Sequence, residues 1–390
     1  MKVCLETFGC RLNRAEALQM EADFIARGWQ TTESHSDADM IVVRGCSVTS
    51  RAQRDCEKFI EHIRAKYPNK RLVATGCLQE KRNEHWLKDV SSGGAGVPSR
   101  TARAYLKVQD GCAGACTFCI VPRFRGKSVS SDFNAALDRA KAFIGAGYRE
   151  IVLTGCNLAL YASQGRRLAD LAAAMADLDP ACRIRLGSVE PSAAATDLVA
   201  AMAGKPNICR YLHVPIQSGS NMMLSAMHRP YAMRNVETLL AEALRLMPDL
   251  AIGCDLMTGF PGESELDFLA TKTLFQRIPI SRAHIFPYSE RPGTAAAALP
   301  MPVPREIRHA RAHELAGIAD EARTKFAAKF RGKTVRMVVE DEENLAGWTG
   351  EYLWCQAKSF VAARLRPHRR ELVEVRVTGA NGHVLAGELC

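Results

Sequence analysis

The sequence predicts an α/β protein of three parts: an N-terminal open parallel α/β domain over 1–92, a central partial (β/α)6 barrel over 104–328, and a small antiparallel, OB-like β-barrel over 329–390. Three observations carry the prediction. Short β-rich runs alternate with amphipathic helical stretches through the first ninety or so residues, six further strand-and-helix alternations follow a Gly/Ser-rich break, and the period shortens to strand–turn–strand after residue 333. Strands alternating with helices are the pattern of a parallel sheet, and closely spaced short strands that of a small barrel.

In the first part KVCLETFG, MIVVRG and RLVATG read as buried parallel strands, with helical spacing of apolar residues over 13–27 and 50–66. Cys10, Cys46 and Cys77 each follow one of these strands within a few residues. In an open parallel sheet the loops after the strands share one edge, where ligands bind, so three distant cysteines are gathered at one crevice. Residues 90–103, VSSGGAGVPSRTAR, read as a linker.

The second part offers YLKVQ, EIVLTG, RIRLGS, YLHVPI, AIGCDLMTGF and RAHIFPY as strands, with helices such as NAALDRAKAFIGAG and NVETLLAEALRLM between them. Six units are too few for a closed eight-stranded barrel, and a doubly wound sheet is the alternative arrangement. A basic helical segment near 304–330 leads to KTVRMVVE, WTGEYLWCQ, KSFVAARL, LVEVRVTG and VLAGEL, five short strands that suit a nucleic-acid platform. Within them Arg364, Arg366, Arg369 and Arg370 form a dense basic run and are the candidate RNA contacts.

Composition narrows the class. The chain has 390 residues, 47% of them hydrophobic, enough for substantial cores. Charges at Lys2, Glu6 and Arg11 break the N-terminus, and no run reaches the roughly 18 apolar residues of a spanning helix. The expectation is a soluble, cytoplasmic monomer that does not engage a membrane. Fourteen cysteines in a reducing compartment point to metal or cluster ligation for the clustered ones, while Cys4, Cys156, Cys182, Cys209 and Cys355 read as structural. A formal net charge of +10 favours a polyanionic partner, nucleic acid first.

The stretch CAGACTFC, 112–119, follows the first strand of the second part, at the face where barrel active sites sit. It carries Cys112, Cys116 and Cys119 with no His or fourth Cys at zinc spacing. A 4Fe–4S cluster normally takes four thiolates, so three leave one iron open to chelate a small molecule. Gly111 and Gly114 let the loop wrap a bulky inorganic core.

This motif, with Phe118 before its last cysteine, resembles the CxxxCxxC of the radical S-adenosylmethionine enzymes. The segments TFGCRLNRAE, VVRGCSVTSRAQRD, ATGCLQE, IVLTGCNLALY, RIRLGSVEP, LHVPIQSGSNMMLSAMHRPY, DLMTGFPGE and HIFPYSERPGT resemble those of the methylthiotransferases, and LVEVRVTGANGHVLAGEL resembles the end of their RNA-binding TRAM domain. The resemblance implies a reduced cluster that splits S-adenosylmethionine into methionine and a 5′-deoxyadenosyl radical, which abstracts hydrogen from a C–H bond. It implies a second, auxiliary 4Fe–4S cluster on Cys10, Cys46 and Cys77, tRNA as partner, and an electron donor such as flavodoxin or ferredoxin.

GCRLNRAE is most similar to the branch that acts on N6-threonylcarbamoyladenosine beside the tRNA anticodon. Sister branches act on isopentenyladenosine in tRNA or on an aspartate of a ribosomal protein, and a non-catalytic iron–sulfur RNA-binding protein is the alternative of another class. Two features depart from the family: only 34 residues lie between Cys77 and Cys112, and Arg44-Gly45 stands where Asn-Thr is usual. By strand position Gly155, Asn157, Ser188, Glu190, Gln217, Ser218, Gly219, Met257 and Gly259 face the barrel mouth. Phe118, Gly155, Asn157, Ser188, Glu190, Gln217 and Arg229 are the candidate contacts to S-adenosylmethionine, with a structural ion pair the other reading of Arg229.

Overall fold

The computed structural model describes residues 1–46, 50–77, 101–358 and 367–390. At the N-terminus β1 (Lys2–Thr7), β2 (Gln30–Thr31), β3 (Met40–Gly45) and β4 (Arg71–Gly76) form a parallel sheet in the order β2-β1-β3-β4. The edge strand β2 is too short to show in the sequence. Successive residues of β3 serve opposite faces, as the pleat requires. Met40 and Val42 pack with Met20 and Phe24 of α1 (Arg11–Ala26), whereas Ile41 and Val43 pack with Ile60 and Ile63 of α2 (Ser50–Lys66).

The central part has six parallel strands: β5 (Ala104–Lys107), β6 (Glu150–Thr154), β7 (Arg183–Leu186), β8 (Tyr211–Gln217), β9 (Ala251–Thr258) and β10 (Ile280–Pro287). They pair as β7-β6-β5 and β8-β9-β10, and isolated parallel bridges, Ile184 to Ile208 and Ser188 to His213, join the two sheets into one open barrel. The helices Phe133–Gly145, Leu168–Ala176, Ala193–Gly204 and Met233–Leu246 bury their apolar stripes on its outside, in a core that includes Phe143, Leu171, Leu198 and Leu240. Truncating such a leucine to alanine costs about 2–5 kcal/mol. On the open side α1 packs against β5.

The helix Arg305–Ala328 leads into a closed barrel of β11 (Thr334–Asp341), β12 (Ala346–Thr349), β13 (Trp354–Lys358), β14 (Leu372–Asn381) and β15 (Val384–Leu389), in the order β11-β12-β13-β15-β14. Four pairings are antiparallel, and β13 closes the barrel by pairing parallel to β15. The expected strand WTGEYLWCQ is two strands, broken where Tyr352 adopts φ +63°. The expected strand KSFVAARL lies, beyond Lys358, outside the described residues.

This small barrel seats on the amino ends of the core strands. Glu150 is wholly buried and accepts from Arg183 Nε at 2.5 Å and Arg185 Nε at 2.7 Å. The remaining donors of both arginines reach main-chain carbonyls of the small barrel: Arg183 those of Arg336 and Trp348, Arg185 those of Thr349 and Gly350. Tyr352 stacks on Tyr211 of β8, ring centroids 4.8 Å apart.

Candidate active site

The stretch after β5 builds the first cysteine site. Gly111 has φ +67°, and a Cβ there would lie 2.1 Å from Lys127 O, so only glycine lets the loop turn against the backbone at Lys127. A Cβ at Gly114 would stand 3.2 Å from Cys112 Sγ and 3.8 Å from Cys116 Sγ, which places both sulfurs over one bare backbone position. Each thiol accepts an N–H: Cys112 from Gly114 N at 3.3 Å, Cys119 from Val121 N at 3.4 Å, Cys116 from Arg229 Nη1 at 3.0 Å. Burial pushes the Cys119 thiol up to about 11 and raises that of Cys116, which Arg229 opposes. Phe118 packs edge-on to Phe260 at 6.4 Å and forms an apolar wall with Met223, Met227 and Met257.

A polar wall faces them. Asn157 donates to Glu190 Oε2 at 2.7 Å, and Glu190 is ion-paired with Arg229. Arg229 also donates to Tyr231 Oη at 2.9 Å, so its donors are shared among a carboxylate, a phenol and a cysteine sulfur. Gln217 sits at φ +70°, rare for a side chain of its size, and its buried Oε1 has no hydrogen-bond partner among the described residues. Ser188 is exposed at the mouth. The space above Gly155 is filled, a Cβ there meeting Gln109 Oε1 at 2.8 Å and Leu158 Cδ2 at 3.0 Å, so packing explains that glycine. Ser218 and Gly219 dock on Thr271, and Gly259 on Arg308.

The second site lies at the carboxyl edge of the N-terminal sheet. Thr7, Arg44 and Thr75 are in register across β1, β3 and β4, and Cys10, Cys46 and Cys77 follow just beyond that row. Gly9, at φ +103°, lets the chain pass so close that a Cβ would lie 2.9 Å from Cys46 Sγ. Cys10 is the N-cap of α1 and exposed; Cys46 and Cys77 are buried. Burial pushes the Cys77 thiol up and Arg125 opposes it, with Nε 3.3 Å from Sγ.

Sequence reasoning missed the polar seam behind this site. Glu16 accepts from Arg125 and Lys107 of the core and is ion-paired with Arg44, which accounts for the unusual residue before Gly45. Burial works against the Glu16 charge, but Arg44, Arg125 and Lys107 outweigh it and hold its carboxyl well below the usual range. The signal available was the pair Glu16 and Arg44, an acid and a base in two cysteine segments.

The basic run divides. Arg364 and Arg366 lie outside the described residues. Arg369 is exposed and donates from Nε to Glu340 O at 3.2 Å. Arg370 is a correction to the expected RNA contacts: its guanidinium lies 4.0 Å over the Tyr148 ring and donates to Thr101 O and Ala146 O, stapling the small barrel to the core.

Residues 2–93 match the Uncharacterized protein family UPF0004, and 106–275 match the Radical SAM superfamily. The chain is 30% identical to a tRNA-2-methylthio-N(6)-dimethylallyladenosine synthase of Cereibacter sphaeroides, with 99% of this chain and 98% of that protein covered. It is 31% identical to the threonylcarbamoyladenosine tRNA methylthiotransferase MtaB of Aquifex aeolicus, covering 88% and 94%. The chain belongs to the radical S-adenosylmethionine tRNA methylthiotransferases. Among solved structures it is similar in fold to the radical S-adenosylmethionine methyltransferase TsrM of Kitasatospora setae, with a TM-score of 0.55 and 12% identity over 76% of this chain and 77% of that one.

As a methylthiotransferase the chain is an enzyme that works with two 4Fe–4S clusters and S-adenosylmethionine. The residues present fit these groups. Thiols are the soft donors such clusters take, Gly114 and Gly9 let backbone and cysteine sulfurs come close together, and the unpartnered Oε1 of Gln217 awaits a donor. Among the described residues no helix is long and apolar enough to cross a membrane.

Proposed function

We propose that this methylthiotransferase inserts a methylthio group at a C–H bond of N6-threonylcarbamoyladenosine next to the anticodon of tRNA. The observation that carries the reading is the segment GCRLNRAE, which opens α1 and in which Asn13 and Glu16 are built into the wall of the second cysteine site. That segment is the one that resembles the threonylcarbamoyladenosine branch. The 30% identity to the Cereibacter protein over 99% of the chain favours a second reading, isopentenyladenosine as the target base.

Cys112, Cys116 and Cys119 hold the radical cluster, and Cys10, Cys46 and Cys77 the auxiliary one. When bound, the radical cluster supplies the electron that opens S-adenosylmethionine to methionine and a 5′-deoxyadenosyl radical. The chain's own part is positioning. Gln217 Oε1 accepts from the ligand, Asn157 and Glu190 bind its polar groups with Ser188 at the rim, and the Phe118 wall excludes water. Arg229 keeps Glu190 oriented and donates to Cys116. Arg364, Arg366 and Arg369 contact RNA. Segments 1–92, 104–328 and 329–390 act as auxiliary-cluster domain, radical core and TRAM-like domain of a cytoplasmic monomer, reduced by a flavodoxin or ferredoxin.

The test is mass spectrometry of tRNA nucleosides from a strain lacking the gene. Loss of the methylthio form of threonylcarbamoyladenosine is the expected result. Loss of the isopentenyl form instead selects the second reading, and unchanged methylthio-adenosines overturn both.

A further inference from the structure

We propose that Arg125 is the positioning residue of the auxiliary site, holding Cys77 and tuning the reduction potential of the cluster it ligates from the domain that carries the radical motif. Arg125 ends the short helix α3 (Val121–Arg125), which begins just after Cys119. Its side chain is 9% exposed and makes five polar contacts. Nε reaches Cys77 Sγ at 3.3 Å; Nη1 reaches Glu16 Oε1 at 3.0 Å and Asp110 Oδ1 at 2.9 Å; Nη2 reaches Asn13 Oδ1 at 2.8 Å and Glu16 Oε2 at 3.0 Å.

A guanidinium has five N–H groups in a rigid plane, and this site engages every face of the fork. The bidentate grip on Glu16 fixes the plane, and with the plane fixed only Nε points at sulfur. Asn13 is held in turn, donating to Phe8 O and Gly45 O, each at 2.9 Å, so the anchor belongs to the same turn that carries Cys10 and the same strand end that carries Cys46. One side chain of the radical core therefore touches two of the auxiliary cysteine segments directly and is tied to the third, that of Cys46, through Asn13.

An N–H donated to a ligating sulfur withdraws electron density from it. One-electron reduction adds a negative charge that the sulfurs share, so the donor favours the reduced state, and hydrogen bonds to sulfur are among the factors that set cluster potentials. Removing the Nε donor moves the auxiliary midpoint to a more negative value.

The inference rests on Cys10, Cys46 and Cys77 being cluster ligands, and the experiment separates the two. The full chain carrying Cys112→Ala, Cys116→Ala and Cys119→Ala is reconstituted, so that any cluster present is the auxiliary one. Iron content and the midpoint potential, followed by electron paramagnetic resonance, are then compared with and without Arg125→Lys or Arg125→Gln. The expected result is about four irons per chain in the background and in Arg125→Lys, with a more negative midpoint and altered g-values in the lysine variant. An unchanged midpoint with iron retained overturns the proposal. Loss of iron from both Arg125 variants overturns it as well, since Arg125 is then scaffold alone. No iron in the background itself overturns the ligand assignment, and is told apart because Arg125 is intact there.

Discussion

Arg229 Nη1 donates to Cys116 Sγ at 3.0 Å while its Nη2 is held by Glu190. A hydrogen bond to a charged group is worth about 1.5–3 kcal/mol. Arg229→Ala should therefore slow 5′-deoxyadenosine release by about 10- to 100-fold, measured on preparations matched for iron. A decrease smaller than twofold would make the interaction incidental.

The two cysteine trios should divide the labour. Cys116→Ala should abolish cleavage of S-adenosylmethionine. A Cys10→Ala, Cys46→Ala, Cys77→Ala chain should keep about four irons of about eight and still release 5′-deoxyadenosine, yet form no methylthio nucleoside. The check is iron, deoxyadenosine and nucleoside on one preparation; methylthio product from the folded triple variant would end the two-cluster division.

Neighbouring arginines should behave differently. Replacing Arg364, Arg366 and Arg369 by Ala should weaken tRNA binding and flatten its dependence on salt by about one unit of slope for each phosphate no longer neutralised. Arg370→Ala should leave that slope alone and lower stability by about 1–3 kcal/mol, the worth of a cation–π pair and two hydrogen bonds. Salt-titrated binding and denaturant unfolding separate the two outcomes.

Acid should loosen the seam at Glu16. Its folded pKa lies below the ordinary 4.5, so its stabilising effect is complete above that value and is lost as pH falls beneath it. Between about pH 5 and 3 the wild-type melting temperature should fall more steeply than that of Glu16→Gln, which has no such charge to lose. Parallel curves would remove Glu16 from the interface energetics.

Much of the fold was legible because the deciding signals are local. The six core strands are apolar runs after turn residues, and both cysteine trios sit within a few residues of a strand end. The destinations of Arg125, Arg229 and Arg370 were not legible. Their deciding partners, Cys77, Cys116 and Tyr148, lie far along the chain, and a long side chain's reach carries no periodicity. The break at Tyr352 was missed for another reason: the sequence there is aromatic and reads as strand, while stacking on Tyr211 and Trp348 holds a left-handed backbone that propensity alone argues against. Gln217 was singled out by position, but its unpartnered Oε1 belongs to the folded chain.

The buried cluster at Glu150 joins residues made early in synthesis to residues made late. Arg183 and Arg185 are made 153 and 164 residues before the carbonyls of Arg336 and Thr349 that they bind. While the ribosome is still translating the long helix, both arginines already have Glu150, but the carbonyls that take their other donors do not yet exist, and water serves those donors at the open floor of the core. A chain cut before that barrel would also strip the cover from Arg183, Arg185 and Tyr211 of the core, and would be a poor instrument for asking what the barrel does with RNA.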